Sequence, residues 1–185
     1  RPFNTIRIVY FGRVSESKNV DIVIKVASEL ENDGYNTLTT IIGGYTEDYK
    51  LKLEQIIKEC NLDESKVQIL GQQPFERICD ELQKAHFFVF PSQEKMEGHS
   101  NSLTEAMTFG VVPIVSTAGF NQSIVGRNDL IVKDTLNAKQ YAFKIENIMV
   151  NYQWDELSKY VYERIQLNYT EDIVKERIIK AIESI

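Results

Sequence analysis

The chain has 185 residues, of which 43% are hydrophobic and 26% are charged, with nine Gly and four Pro. A chain of this length can bury a sizeable core, and its composition excludes disordered, collagen-like and low-complexity proteins. Its 27 acidic and 21 basic residues give a net charge of −6. Nucleic acid is therefore excluded as an expected partner, because binding it depends on an excess of clustered cations.

Short apolar segments alternate with amphipathic ones along residues 1–120, an order that is typical of βαβα proteins with a parallel sheet. The predicted strands are Ile6 to Phe11, Thr37 to Ile42, Val67 to Leu70, Phe87 to Phe90, Val112 to Ser116 and a sixth near Leu130 to Val132. They are apolar without alternation, which predicts burial on both faces of the sheet.

Apolar residues between these strands recur at helical spacing. The three sets are Val23, Val26, Ala27 and Leu30; Leu53, Ile56, Ile57 and Cys60; and Phe75, Ile78, Cys79 and Leu82. The two cysteines are expected to pack in the core as free thiols. Three further helices are predicted over residues 137–152, 154–167 and 171–185, the last capped by Thr170.

These elements predict one α/β domain over residues 1–185, a Rossmann-like three-layer α/β/α fold with a mostly parallel six-stranded sheet and C-terminal helices. No apolar stretch has the length of a membrane span. Because the chain begins at Arg1-Pro2 rather than at Met, we expect it to be a piece of a longer protein.

Function is expected in the loops after the strands, because open parallel sheets bind ligands beyond the carboxyl ends of their strands. The first loop carries Gly12, Arg13 and Lys18, with Asn19 as the predicted N-cap of the following helix. Two cations beside a helix start suit a diphosphate, and the alternative is that both are solvated surface cations. Dinucleotide and Walker A fingerprints are absent from the sequence, which disfavours dehydrogenases and P-loop nucleotidases.

The loop after the fourth predicted strand contains Glu97 and, eight positions later, Glu105. If a helix begins near Ser100, the amides of residues 100–103 would face an anion, while the two carboxylates would accept hydrogen bonds from neutral hydroxyls. Cations near hydroxyl acceptors fit a nucleotide sugar. The alternative is a capping box that pairs Asn101 or Ser102 with Glu105.

Together these motifs resemble the donor-binding half of GT-B glycosyltransferases, and most nearly glycosyltransferase family 4, over about residues 5–133 and the closing helices. The motifs are Phe11-Gly12-Arg13 with Lys18, Gly43-Gly44, Ile69-Leu70-Gly71, Phe90-Pro91-Ser92, Glu97-Gly98, Leu103-Thr104-Glu105-Ala106-Met107, Gly110 and Pro113. The E-x7-E spacing from Glu97 to Glu105 is the most specific of them.

The resemblance implies that Arg13 and Lys18 hold the donor diphosphate, Glu97 contacts the donor sugar and Glu105 binds the ribose. Arg13, Lys18 and Glu97 would be catalytic, and the loop over residues 71–73 would contact the nucleobase. The implied donor site comprises Gly12, Arg13, Lys18, Gly71, Gln73, Glu97, Gly98, His99, Ser100, Asn101, Ser102, Leu103 and Glu105.

The implied reaction is transfer of a sugar from a nucleotide diphosphate sugar to an acceptor hydroxyl, with retention and without a metal or other cofactor. The chain indeed contains no D-x-D sequence. An isomerase or phosphorylase of the same architecture, and a binding-only nucleotide module, are the alternatives. His99 and Ser100 stand where many relatives carry an aromatic residue and glycine, and residues 118–125 lack an acidic residue found in many relatives.

The implied partners are the donor and an N-terminal acceptor-binding domain of the same protein, without which the chain is expected to be inactive. The expected location is cytoplasmic, with the inner face of a membrane as the alternative through that missing domain. His86 is expected to be structural, and His99 either to contact the donor or to be exposed. Val174, Ile178, Ile182 and Ile185 form an apolar stripe on the last helix, which we hypothesise to be exposed.

Overall fold

A computed structural model describes residues 3–94 and 98–183 of the chain. Its strands are β1 (Ile6–Phe11), β2 (Thr37–Ile42), β3 (Val67–Gly71), β4 (Phe87–Phe90), β5 (Val112–Ser116) and β6 (Ile131–Val132). Its helices are α1 (Val20–Asn32), α2 (Glu47–Glu59), α3 (Phe75–Leu82), α4 (Asn101–Thr108), α5 (Asn121–Val125), α6 (Ala138–Val150), α7 (Trp154–Asn168) and α8 (Glu171–Glu183). The predicted strands and C-terminal helices are confirmed to within about two residues, apart from residues 184 and 185, which lie outside the described part.

All six strands are parallel and lie in the order β3-β2-β1-β4-β5-β6. The chain therefore moves outward from β1 in one direction, crosses back through α3, and continues outward from β4 in the other. The direction of winding reverses between β1 and β4, and sheets of this kind bind ligands at such a switch point. The α/β class and the parallel sheet are confirmed.

The helices form two layers because right-handed crossovers that run in opposite directions along a sheet cover its opposite faces. Helix α1 packs against α2 and α6, while α4 packs against α7. The apolar set on α1 is fully buried, with Val23, Val26, Ala27 and Leu30 each 0% exposed. This burial fixes the loop that joins β1 to α1.

Burial on both faces is confirmed for the central strands β4 and β5, whose residues are all buried. The prediction is wrong for β3, in which only Val67 is buried. β3 lies at the edge of the sheet and pairs with β2 alone, so fewer elements cover its side chains. An apolar run does not distinguish an edge strand from a central one.

Helix α3 also departs from its predicted apolar face. Only Leu82 is buried, and Phe75 is 58% exposed. Cys60 and Cys79 are free thiols, as expected, but both are half-buried rather than enclosed in the core. The prediction that these residues form a helix is therefore confirmed, whereas the predicted burial of its apolar face is wrong.

The C-terminal helices hold α5 in place through side chains of α7. Tyr160 donates a hydrogen bond to the carbonyl oxygen of Val125, and Arg164 donates to the carbonyls of Ser123 and Ile124. Carbonyl groups at a helix end have no partner within the helix, so these donors satisfy α5 at its C-terminus. Tyr141 is buried, and Tyr160 and Tyr169 pack against the core, whereas Tyr152 and Tyr162 are exposed.

Helix α8 leaves an apolar face exposed, as hypothesised. Val174, Ile178 and Ile182 are 39%, 54% and 65% exposed, while Ile185 lies outside the described residues. Within residues 3–94 and 98–183, no helix combines the length and the apolar character required to cross a bilayer.

His86 is a structural residue, as expected, and supports the start of β4. Its Nδ1 accepts a hydrogen bond from the amide of Arg7 at 3.1 Å, and its ring stacks on Phe3 with 3.6 Å between ring centroids. The indole of Trp154 donates to its carbonyl oxygen. Burial, with a smaller contribution from the charge of Arg7, lowers the pKa of His86 from 6.5 to about 4.

We expect the melting temperature to fall as the pH drops from 6.5 toward 4. The unfolded chain binds a proton at His86 near pH 6.5, whereas the folded chain does not until about pH 4, so this contribution to stability is complete above pH 6.5 and is lost below it. Thermal melts between pH 7.5 and 5.5 measure the effect above the ordinary pKa range of carboxyl groups. His86→Gln should flatten the slope, and an equal slope in His86→Gln would contradict the assignment.

Candidate functional site

The carboxyl ends of β1, β2 and β3 are joined by backbone hydrogen bonds at three glycines. The amide of Gly12 donates to the carbonyl of Ile42 at 3.0 Å, and the amide of Gly43 donates to the carbonyl of Gly71 at 2.8 Å. A Cβ atom placed on Gly43 would lie 1.7 Å from the carbonyl oxygen of Gly12. The predicted site residues Gly12 and Gly71 therefore belong to one continuous edge of the sheet.

Arg13 and Lys18 converge on a single carboxylate, that of Glu94 in the loop after β4. Arg13 Nη2 lies 2.6 Å from Glu94 Oε1, and Lys18 Nζ lies 3.0 Å from Glu94 Oε2. The Arg13 side chain is 66% exposed, whereas that of Lys18 is 9% exposed. The alternative of two solvated surface cations is thus wrong for Lys18, and the two cations share one anion position at the switch point.

Backbone contacts hold the two loops together independently of that carboxylate. The amide of Gln93 donates to the carbonyl of Ser17 at 3.1 Å. Asn19 donates from Nδ2 to the carbonyl of Pro91 at 2.9 Å. Asn19 occupies the predicted N-cap position of α1 but does not cap it with its side chain, because that amide group joins the loop to β4 instead.

Glu94 is the site residue that sequence reasoning missed. It also accepts a hydrogen bond from the Ser17 hydroxyl at 2.8 Å. The hydrogen bond from Lys18, followed by smaller contributions from Ser17 and Arg13, holds the pKa of Glu94 below its ordinary value despite partial burial. One signal could have found it: in a sheet that switches direction between β1 and β4, an acidic residue shortly after β4 faces the loop after β1.

The helix predicted near Ser100 begins at Asn101, and Ser100 is its N-cap. The Ser100 hydroxyl accepts a hydrogen bond from the amide of Leu103 at 3.3 Å. The Leu103 side chain is 0% exposed. Leu103, a residue of the implied donor-binding site, therefore offers a ligand neither its side chain nor a free amide. The alternative of a capping box with Asn101 or Ser102 is wrong, because Ser100 caps the helix and places Glu105 in the second turn.

The first turn of α4 lies against the loop after β1. A Cβ atom placed on Gly12 would be 3.7 Å from Ser102 Oγ, and Ser102 Oγ lies 3.2 Å from Ser100 Oγ. The N-terminus of α4 and the loop that carries both cations are therefore neighbours, as a single site for a nucleotide sugar requires.

Glu105 is half-buried on α4, and burial raises the pKa of its carboxyl group above the ordinary value. In the part of the chain that the structure describes, no hydrogen bond or ion pair joins this carboxylate to another residue. A partly buried carboxylate without donors is stabilised by any ligand that brings hydroxyl groups to it. Glu97, the other glutamate of the E-x7-E motif, lies outside the described residues.

Two other residues of the implied donor-binding site, His99 and Asn101, line a groove of about 570 Å³ between α4 and the corner where α7 meets α8. The other side of the groove is lined by Asn168, Tyr169 and Arg177. The His99 ring is 5.2 Å from that of Tyr169, and Gly98 is exposed beside it. Their role in donor binding stays a prediction.

The predicted nucleobase loop is ordered at the end of β3. Gln73 donates from Nε2 to the carbonyl of Leu70 at 2.7 Å, and a Cβ atom on Gly71 would touch the ring of Tyr45 at 3.5 Å. This loop joins the Gly12 loop through Gly43. Among the residues that the structure describes, no three His, Cys, Asp or Glu residues are grouped so as to hold a metal ion.

Comparison with known proteins supports a common family. The sequence model of the family described as glycosyl transferases group 1 matches residues 2–166. The amylovoran biosynthesis glycosyltransferase AmsK of Erwinia amylovora is 32% identical over 116 residues, which cover 60% of this chain and 28% of AmsK.

Solved structures agree in fold. The C-terminal domain of the group 1 glycosyl transferase LpcC from Francisella tularensis has a TM-score of 0.78 at 22% identity, covering 90% of this chain and 87% of that one. HepE from Anabaena, solved with UDP and glucose, has a TM-score of 0.83 at 18% identity, covering 98% and 49%. The chain thus spans about half the length of HepE and less of AmsK. The resemblance to the C-terminal domain of GT-B glycosyltransferases is confirmed, while its assignment to family 4 stays a prediction.

Proposed function

Because this chain belongs to the group 1 glycosyl transferase family, we propose that it is the donor-binding domain of a retaining, metal-independent glycosyltransferase. It would bind a nucleotide diphosphate sugar, whose sugar is transferred to an acceptor hydroxyl. The observation that carries the proposal is the convergence of Arg13 and Lys18 on one anion position at the switch point of the sheet.

Arg13 and Lys18 would stabilise the negative charge that develops during such a transfer. As the bond between the sugar C1 and the diphosphate oxygen breaks, negative charge grows on the diphosphate and the sugar becomes oxocarbenium-like. Arg13 offers a planar fork of donors and Lys18 a point charge, and both are held in position before the reaction begins. They would supply the charge stabilisation that a metal ion supplies in D-x-D transferases.

Glu105 and the first turn of α4 suit the neutral part of the donor. The partly buried Glu105 carboxylate would accept hydrogen bonds from the ribose hydroxyls, which would satisfy a group that receives no donor from residues 3–94 and 98–183. Ser102 lies beside Gly12, where its hydroxyl and the amides of Asn101 and Ser102 would meet phosphate or sugar oxygens. The loop over residues 71–73 would border the nucleobase, and Glu97 would contact the donor sugar.

The known relatives support the class of donor and the need for a second domain. HepE binds UDP and glucose, and about half of HepE has no counterpart in this chain. We propose that a further domain of the same protein binds the acceptor and forms the other wall of the cleft. The 185-residue chain would then bind the donor without transferring sugar by itself.

Thermal stabilisation of the chain by UDP, GDP and ADP in parallel tests the proposal. A nucleotide at a hundred times its dissociation constant should add about 2.7 kcal/mol, which raises the melting temperature by about 5–10 °C for a protein of this size. Arg13→Ala should lose most of that shift for the nucleotide that wild type prefers. Arg127→Ala provides a control, because Arg127 pairs with Asp129 beyond β5, outside the proposed site.

If no nucleotide shifts the transition of wild type, the donor-site assignment is wrong. For the complete protein, the anomeric configuration of the product reports on retention, and activity after chelation reports on metal independence. Hydrolysis or epimerisation of the free nucleotide sugar without an acceptor would favour the phosphorylase or isomerase alternative.

A further inference from the structure

The carboxylate of Glu94 occupies the position that the proposed function reserves for the donor diphosphate. Three donors from the loop after β1 converge on it, namely Arg13 at 2.6 Å, Ser17 at 2.8 Å and Lys18 at 3.0 Å. Guanidinium, ammonium and hydroxyl groups serve phosphate oxygens as well as carboxylate oxygens. Glu94 therefore presents two anionic oxygens to the groups that a diphosphate would use.

The burial of Lys18 explains why an internal anion is retained there. The Lys18 side chain is 9% exposed, with its Nζ 5.3 Å from the centre of the Phe90 ring. A charge held this far from water requires a charged or hydrogen-bonded partner. Glu94 supplies a negative charge in the ligand-free protein, and a bound diphosphate would supply one in its place.

Glu94 and a diphosphate cannot share these donors at low energetic cost. The two anions would lie within a few ångströms of each other in a partly buried site, where repulsion between like charges is stronger than in water. We propose, resting on the proposed function, that Glu94 is an internal competitor for the donor diphosphate, and that donor binding exchanges its carboxylate for phosphate oxygens between Arg13 and Lys18.

The fold allows this exchange without dismantling the site. The loops after β1 and β4 stay joined by the bond from the Gln93 amide to the Ser17 carbonyl and by that from Asn19 to Pro91. Neither bond involves the Glu94 side chain, so the carboxylate can leave while the loops after β1 and β4 stay joined. A diphosphate can bind between Arg13 and Lys18 only after the Glu94 carboxylate has left them. The equilibrium between the paired and the released carboxylate therefore lowers the apparent affinity for the donor.

Calorimetric titration of wild type and Glu94→Gln with inorganic pyrophosphate, UDP, GDP and ADP tests the proposal. Glutamine keeps the shape of the side chain but removes its charge, so Glu94→Gln should bind the diphosphates roughly twofold to thirtyfold more tightly, the range that corresponds to losing the two ion pairs of Glu94. Glu16→Gln is the matched control. It removes the same charge from the same loop, where Glu16 pairs with Lys52 at 2.8 Å, and it should bind like wild type.

The outcomes separate this inference from the function on which it rests. If wild type binds a nucleotide and Glu94→Gln binds it equally or more weakly, Glu94 positions the cations and competition is disproved. If neither protein binds pyrophosphate or any nucleotide, both proposals are wrong. A crystal structure of wild type with pyrophosphate should show Glu94 more than about 4 Å from both cations, and an unchanged ion pair beside the ligand would overturn the exchange.

Discussion

Lys18→Met is expected to weaken binding of pyrophosphate and of the preferred nucleotide by about tenfold to a hundredfold. In the complete protein it should lower the turnover rate by about a hundredfold or more, which is the usual effect of removing one preorganised charge-stabilising donor. Methionine keeps an apolar stem beside Phe90 and removes only the ammonium group. Calorimetry with the chain and initial rates with the complete protein would measure the two effects.

The melting temperature of Lys18→Met distinguishes a loss of binding from a loss of folding. Removing one partner of a buried ion pair is strongly destabilising where it leaves the other charge buried and unpaired. Glu94 is 23% exposed and keeps Arg13 and Ser17 as donors, so the melting temperature of Lys18→Met without nucleotide should change little. Lys52→Met is the control, because Lys52 is more exposed and pairs with Glu16 away from the two cations. If Lys18→Met bound diphosphates as tightly as wild type, Lys18 would serve only to hold Glu94.

Gly43→Ala is expected to destabilise the fold by about 3 kcal/mol, in the range of severe backbone strain and overpacking. Gly43 has a φ of +147°, and its Cβ atom would lie 1.7 Å from the carbonyl oxygen of Gly12. The loops after β1 and β2 would have to separate. At about 2–4 °C per kcal/mol for a chain of this size, the melting temperature should fall by about 6–12 °C.

Gly44→Ala is the matched control for that substitution. A Cβ atom on Gly44 meets nothing within 4 Å, so its melting temperature should stay within the small range of ordinary surface changes, about 0.5 kcal/mol. Nucleotide affinity should also fall in Gly43→Ala, because the Gly12 loop carries Arg13. Equal stability of the two variants would show that the close approach of the two loops is not required.

Local patterns in the sequence predicted most of the fold. Continuous β-branched and aromatic runs marked the strands, and residues at helical spacing marked α1, whose four predicted apolar residues the structure buries completely. The failures lie at the periphery. The apolar run of β3 resembles those of the central strands, and the helical spacing of α3 resembles that of α1. The position of β3 at the edge of the sheet nevertheless leaves Gln68 exposed. Exposure at an edge depends on which element covers a strand, and a local pattern carries no such information.

The candidate site was predictable in its components and only partly in its contacts. Gly12, Arg13, Lys18 and Glu105 lie on elements that meet at the carboxyl edge, as the motifs indicated. The ion pair from Arg13 to Glu94 joins residues 81 positions apart. Predicting this ion pair requires the order of the strands in the sheet as well as the identity of the two loops. The capping of α4 by Ser100 likewise depended on where the helix begins, a boundary that propensity locates only to within a few residues.

The sequence by itself determined the alternation of strands and helices, the cations that follow β1 and the family to which the chain belongs, because these depend on residues near one another along the chain. Tertiary structure alone decided that β1 and β4 are neighbours, that Lys18 is buried, and that Glu94 takes the anion position between Lys18 and Arg13. The physical reason is that burial and pairing are set by the elements that pack around a side chain, and these come from distant parts of the chain.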